Sequence, residues 1–129
     1  MSRKKAFTLT EILIAVVVMA VLASVAVPGF SAAKKKAAAS QAIAYLRTIK
    51  TSQKMYFAKW GTYLARANSS DIKAELGAET RAKDYTFSVT TPTPTTFTAT
   101  ATTSGGTLTL NQDGTFTATG TETKYVPAS

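Results

Sequence analysis

The sequence predicts an α+β protein: a long N-terminal helical spine, with a transmembrane half and an amphipathic half, packed on a C-terminal four-stranded antiparallel sheet. Three observations carry this. Ile12 to Val27 is a run of Ile, Leu, Ala, Val and Met broken only by Ser24. Ala32 to Ala58 holds no Gly or Pro and is rich in Ala, Lys and Gln, which are strong helix formers. From Asp84 onward the apolar period changes to two, with Thr and Ser in the alternate places.

The first element is the apolar segment. At about 1.5 Å per residue, a helix over 7–27 is about 31 Å long, close to the hydrocarbon thickness of a bilayer. A cleaved secretory signal has a shorter apolar core and a small-x-small site, and Ser24-Val25-Ala26 or Ser31-Ala32-Ala33 would serve as one. Glu11 separates the two readings. A carboxylate at the centre of a membrane helix costs about 2.5–3.5 kcal/mol, less near an end, so one kept in the apolar stretch is a candidate for function and needs a cation. A cut between Ala6 and Phe7 would create an ammonium four residues away, on the same helical face. The alternative is a carboxylate at the membrane border in contact with water.

The residues themselves carry a resemblance. Lys4-Lys5-Ala6-Phe7-Thr8-Leu9-Thr10-Glu11-Ile12, followed by an apolar run to Pro28, resembles the prepilin signature of type IV pilins and pseudopilins. The resemblance implies a leader at 1–6, removed between Ala6 and Phe7 on the cytoplasmic side by a prepilin peptidase. It further implies N-methylation of Phe7 and a part for Glu11 in filament assembly. Pro28 with Gly29 matches the proline that ends the membrane part of the helix in that family. Two positions depart from the pattern: Ala6 stands where Gly is usual, and Thr10 where an aliphatic residue is usual. Basic residues flank both ends of the apolar segment, Arg3, Lys4 and Lys5 on one side and Lys34, Lys35, Lys36 and Arg47 on the other, so charge alone does not set topology. The cytoplasmic placement of the N-terminus comes from the resemblance.

Beyond the apolar segment the helix resumes. Pro28 removes one hydrogen bond and kinks or locally melts the helix without ending it, because helix-forming sequence flanks it. The spine then runs from about Phe7 to about Lys59, about 80 Å if fully helical, and Gly61 stops it. Ala39, Ala42, Leu46, Ile49, Tyr56 and Trp60 recur at helical spacing and predict the packed face, while Arg47, Lys50 and Lys54 gather on another. Met55 to Tyr63 also resembles pilins, whose aromatic helix end runs into a Gly-x-Tyr loop. Its rings are read here as core cover for the sheet.

Asn68-Ser69-Ser70-Asp71 followed by Ile72 to Leu76 and Gly77 reads as an N-capped short helix closed by glycine. Asp71, Glu75 and Glu79 are its solvated acids. Four strands follow, on Tyr85, Phe87 and Val89, on Phe97, Ala99 and Ala101, on Leu108 and Leu110, and on Phe116 and Ala118. Gly105-Gly106 and Asn111-Gln112-Asp113-Gly114 are the turns around the third strand. Pro92 and Pro94 cannot donate to a ladder and are placed in the first connection. The expected divisions are the leader 1–6, the transmembrane and assembly half 7–27, the amphipathic half 28–60, and the loop and sheet of a globular head, 61–129.

Composition narrows function. With no cysteine and no histidine among 129 residues, disulfide frameworks, thiolate metal sites and histidine-based catalysis are excluded. The remaining acids, lysines and hydroxyls form no nucleophile motif, and the Asn111–Gly114 turn offers one firm carboxylate, Asp113, against the six to eight oxygens calcium takes. No enzyme activity, metal or cofactor is expected. The resemblance implies a structural filament subunit, cleaved and methylated by prepilin peptidase, held in the bacterial inner membrane as a precursor, and passed by pilus assembly machinery into a homo- or hetero-oligomeric extracellular filament. Adhesion, twitching motility and DNA uptake are served by such filaments. The alternative is a periplasmic pseudopilin of a type II secretion system, and a secreted or anchored binding module is the remaining class.

Charge adds one candidate surface. The chain carries 15 Lys+Arg against 7 Asp+Glu, a formal +8, and no acid occurs between Glu11 and Asp71. Arg47, Lys50 and Lys54 therefore have no acid nearby in sequence. They form either a solvated or subunit-packing face or a stripe that contacts nucleic-acid phosphates.

Overall fold

The computed structural model describes residues 6–128, apart from the side chain of Pro92, so Arg3, Lys4 and Lys5 of the expected leader lie outside the described residues. The architecture is α+β. A 52-residue helix, α1 (Leu9–Trp60), precedes a short helix, α2 (Ser69–Leu76), and four strands: β1 (Thr86–Thr93), β2 (Thr96–Thr103), β3 (Gly106–Asn111) and β4 (Phe116–Ala118). A 3-10 turn, Gly120–Tyr125, closes the chain. Two compact units divide within α1, one ending at Lys35 and the other beginning at Lys36.

In the first unit the described residues are helix from Leu9 onward and form no core. Every side chain from Ala6 to Lys35 is exposed, including Ile12, Leu13, Val17, Leu22 and Phe30. Pro28 lies inside α1 and does not end it. Nor is the backbone melted there, since Val27, Pro28 and Gly29 are all helical. Proline lacks the N–H that would bond the carbonyl of Ser24, so the ladder loses one rung and continues.

The second unit builds its core from one face of α1 and one face of the sheet. Ala42, Ile43, Leu46 and Ile49 of α1 meet Phe87, Val89, Phe97, Ala99, Ala101, Leu108 and Leu110. The spacing of the helical set is three and four, and that of the strand set is two, so each element delivers a continuous apolar surface. Burying each such Leu, Ile or Phe is worth about 1.5–3 kcal/mol. Gln53 continues the buried face of α1, whereas Trp60, expected on it, is 60% exposed.

The sheet is an antiparallel meander in the order β1-β2-β3-β4. Register pairs like with like: Phe87 faces Ala101, Ala101 faces Leu108, and Leu108 faces Ala118 on the core side. One expectation is corrected. Pro92 lies inside β1, and only Pro94 is in the connection. β1 is an edge strand and its register shifts between Thr90 and Thr93, which is where a residue without an N–H is tolerated in a sheet. Gly77 ends α2 in the left-handed conformation at φ 66°, and Asn68 caps its start by accepting from the Asp71 N–H.

Candidate functional sites: the apolar stem and a cationic groove

The N-terminus of α1 is closed by a reciprocal pair. The Thr8 N–H donates to Glu11 Oε2 at 3.0 Å, and the Glu11 N–H donates to Thr8 Oγ1 at 3.2 Å. This is a capping box, which satisfies two donors that a helix start leaves without partners, and it sets a carboxylate at the positive end of the helix dipole. Glu11 therefore has a local partner besides the cation that sequence reasoning sought for it. The Thr-x-x-Glu spacing signals this in the sequence. Ala6 and Phe7 precede the helix and are exposed, Phe7 at 80%. An apolar surface as large as that running from Phe7 to Phe30 marks a membrane or protein contact, since water-exposed patches of that size are rare in soluble monomers. The helix is long and apolar enough to cross a bilayer.

In the second unit the three cations singled out by sequence come together in one cavity of about 510 Å³. Arg47, Lys50 and Lys54 form one wall from α1, while Leu110, Gly114, Phe116, Val126 and Pro127 supply the other. The Arg47 guanidinium lies over the Phe116 ring, 5.6 Å from its centroid, a contact worth about 0.5–1 kcal/mol at an exposed site. Lys50 reaches the turn between β3 and β4, where a Cβ on Gly114 would come within 2.5 Å of its Nζ. That turn is held by Asn111, whose Oδ1 accepts the N–H groups of Asp113, Gly114 and Thr115. Glycine suits position 114 on both counts, because φ is 96° there. The ion pairs among the described residues, Arg66 with Glu75 and Lys73 with Glu79, involve none of the three. The cations thus share a half-apolar groove with no carboxylate within 4 Å among the described residues.

Comparison with known proteins places the chain. Residues 1–27 match the family described as the prokaryotic N-terminal methylation motif, and residues 28–117 match the family described as type IV minor pilin ComP, DNA uptake sequence receptor. The type IV wide pilus major component PilA4 of Thermus thermophilus is 32% identical over 108 residues, covering 84% of this chain and 80% of that protein. The chain belongs to the type IV pilin family. The type IV major pilin protein PilA of Myxococcus xanthus is also 32% identical, over 89 residues, covering 68% of this pilin but only 38% of the relative. Pilins are structural subunits of a pilus, not enzymes.

The pilin's second unit also contains polar anchors that sequence reasoning missed. Gln53 is fully buried and clamps the backbone of Leu64: its Nε2 donates to Leu64 O at 2.6 Å and its Oε1 accepts from Leu64 N–H at 3.0 Å. A glutamine on an apolar helical face was the available signal. Glu122, 5% exposed, accepts from the Tyr85 hydroxyl at 2.6 Å and ties the C-terminal turn to the start of β1. Burial first, then this bond to Glu122, pushes the Tyr85 hydroxyl well above the usual tyrosine range. Nothing in the threonine-rich tail marked Glu122 as buried. Asp71, Glu75 and Glu79 are exposed, as expected, and the Lys73 ammonium holds the Glu79 carboxyl below its ordinary value. The aromatic segment divides: Phe57 lies tilted against Tyr63 with centroids 4.6 Å apart and Tyr63 meets Phe97 edge-on at 4.8 Å, whereas Trp60 pairs with Tyr56 near the surface.

Proposed function

We propose that this pilin is made as an inner-membrane precursor, cut between Ala6 and Phe7 by a prepilin peptidase, N-methylated on Phe7, and drawn by assembly machinery into a filament of pilin subunits on the cell surface. Residues 1–6 are then the leader, 7–27 the membrane and assembly half of the helix, 28–60 its amphipathic half, with Pro28 and Gly29 as the bend, and 61–129 the head. The exposed apolar stem carries this reading. Lipid contacts can be exchanged for contacts with neighbouring stems at little cost, because both are apolar. Glu11 adds direction: once the leader is gone, the Phe7 ammonium of its own or a neighbouring subunit becomes its counter-charge.

Intact mass and N-terminal sequencing of filaments sheared from cells test this. The expected terminus is methylated Phe7, and a terminus near residue 33 would mean a secretory signal instead. Glu11→Gln separates charge from capping, since glutamine also closes a capping box. The variant is expected to fold and insert normally yet yield at least tenfold fewer filaments. Normal yield would assign Glu11 to capping alone. The relatives named above are pilus components, which favours a pilus over a secretion pseudopilus. Abundance in sheared surface filaments is the discriminating measurement.

A second reading is DNA uptake. It is favoured by the groove of Arg47, Lys50 and Lys54 and by the description of the family matched over 28–117 as a DNA uptake sequence receptor. Phosphate contacts by three cations predict binding that weakens steeply with salt. Replacing all three with alanine should abolish DNA binding. Loss of filaments with DNA affinity intact would instead assign the cations to subunit packing.

A further inference from the structure

Resting on the inner-membrane reading, we infer that Lys34 and Lys35 bind the phosphates of anionic phospholipids at the far face of the membrane, so that the precursor is held by headgroups as well as by hydrocarbon. The lengths along α1 lead there. The exposed large apolar side chains of the first unit end at Phe30, and Glu11 is the only charged residue between Leu9 and Ala33. The helix from Glu11 to Phe30 is about 29 Å long at 1.5 Å per residue, which is the hydrocarbon thickness of a bilayer. Lys34 and Lys35 then lie about 6–8 Å beyond Phe30, within a headgroup layer about 5–8 Å deep on each side.

The charge at that depth has no partner in the chain. Both lysines are exposed, and the ion pairs among the described residues involve neither. No acid occurs in sequence between Glu11 and Asp71 to offset them. Their place also runs against the usual bias, which keeps Lys and Arg on the cytoplasmic side, where the membrane reading puts the N-terminus. Lipid phosphate supplies the missing counter-charge. Helix side chains lean toward the N-terminus, which here is back toward the membrane, and a lysine stem lies along apolar surface while its ammonium stays in the polar layer. Ser31, Ala32 and Ala33, between Phe30 and the lysines, are small and leave room for those stems. The two side chains leave the helix about 100° apart, so they reach different lipids. An ammonium with three rotatable donors can donate to phosphate oxygens in many directions, which suits a mobile headgroup. A zwitterionic headgroup carries its own cation and offsets the field a lysine feels, so the fit is to a net-anionic lipid such as phosphatidylglycerol.

The test reconstitutes the full chain into phosphatidylcholine vesicles with a trace of spin-labelled phosphatidylglycerol or spin-labelled phosphatidylcholine, and reads the fraction of label immobilised at the protein. Immobilised phosphatidylglycerol is expected to exceed phosphatidylcholine at least threefold at low salt, and by less at high salt. Arg3, Lys4 and Lys5 of the expected leader, and Lys36, are kept in every variant, so differences isolate the pair. Lys34→Gln with Lys35→Gln should lower the ratio at least twofold, whereas Lys34→Arg with Lys35→Arg should keep it. A ratio unchanged in the glutamine variant, or a wild-type ratio of one, would overturn the lysine inference and leave the membrane reading standing. Release of the wild-type chain from the vesicles by alkaline carbonate would overturn both.

Discussion

The two units of this pilin spend their apolar residues in opposite ways. From Ala6 to Lys35 the chain exposes every side chain it has, while from Lys36 onward Phe87, Phe97, Leu46, Ile49, Leu108 and Leu110 are almost fully withdrawn from water. Aliphatic residues are much denser in the stem than in the threonine-rich head, and periodicity separates the two further. The stem is apolar around its whole circumference, which commits a helix to lipid or to other helices, whereas the helical residues of the second unit alternate faces and the strands alternate sides. The stem is stabilised by its own backbone ladder and by the capping pair of Thr8 and Glu11; the head is stabilised by its core.

Truncation of apolar residues is the sharpest way to break that contrast. Phe97→Ala is expected to destabilise the head by about 3–5 kcal/mol, through lost transfer energy and a cavity that β2 and α1 cannot close. It should be read as a large fall in the denaturation midpoint of the purified chain in detergent. Val17→Ala removes a comparable kind of group from the stem and should leave that midpoint unchanged. An equal loss from both would mean that the stem belongs to the same cooperative unit as the core.

A smaller effect is expected where the core is polar. Gln53→Ala leaves both the N–H and the C=O of Leu64 without their side-chain partner in a mostly buried place, at a cost of about 2 kcal/mol. Gln53→Glu replaces the donor with a second acceptor facing a carbonyl, and should cost more. Thermal melts of both variants rank them, and a wild-type melt for Gln53→Glu would show that the loop carrying Leu64 separates from α1 freely.

These sites mark what could be read in advance. The helix, the four strands, the capped helix at Asn68 and its glycine stop follow from patterns that act over a few residues, and those patterns were visible. Glu11 was legible twice over, as the acid of a membrane segment and as the fourth residue of Thr-x-x-Glu, though only the first was drawn from it. What escaped depends on contacts between distant parts of the chain. Trp60 keeps the helical period but lies at the end of α1, where it is mostly exposed. Pro92 sits in a strand because β1 is an edge with a shifted register, which no local signal states. The cations of the groove were found from their spacing, but their apolar wall comes from Leu110, Phe116, Val126 and Pro127, far along the chain. Glu122 is buried only because the C-terminal turn brings it to Tyr85.

That last pair yields the smallest and most specific expectation, and it is a property of the head alone. Tyr85 is held neutral by burial and by its bond to Glu122, so its ionisation lies higher in the folded chain than in the unfolded chain, where it is near 10. The stability from this shift is fully present below about pH 10 and is lost as pH rises through the folded value, because the unfolded chain then binds fewer protons than the native one. Head stability, measured by chemical denaturation, should therefore decline above about pH 10. In Tyr85→Phe the hydroxyl is gone and Glu122 keeps its burial without that donor, so the variant should be less stable by about 1 kcal/mol at neutral pH, and its alkaline decline should be shallower by this one group. Parallel curves for the two proteins between pH 9 and 11 would show that Tyr85 ionises alike in both states, and that the bond across to Glu122 does not hold the C-terminal turn.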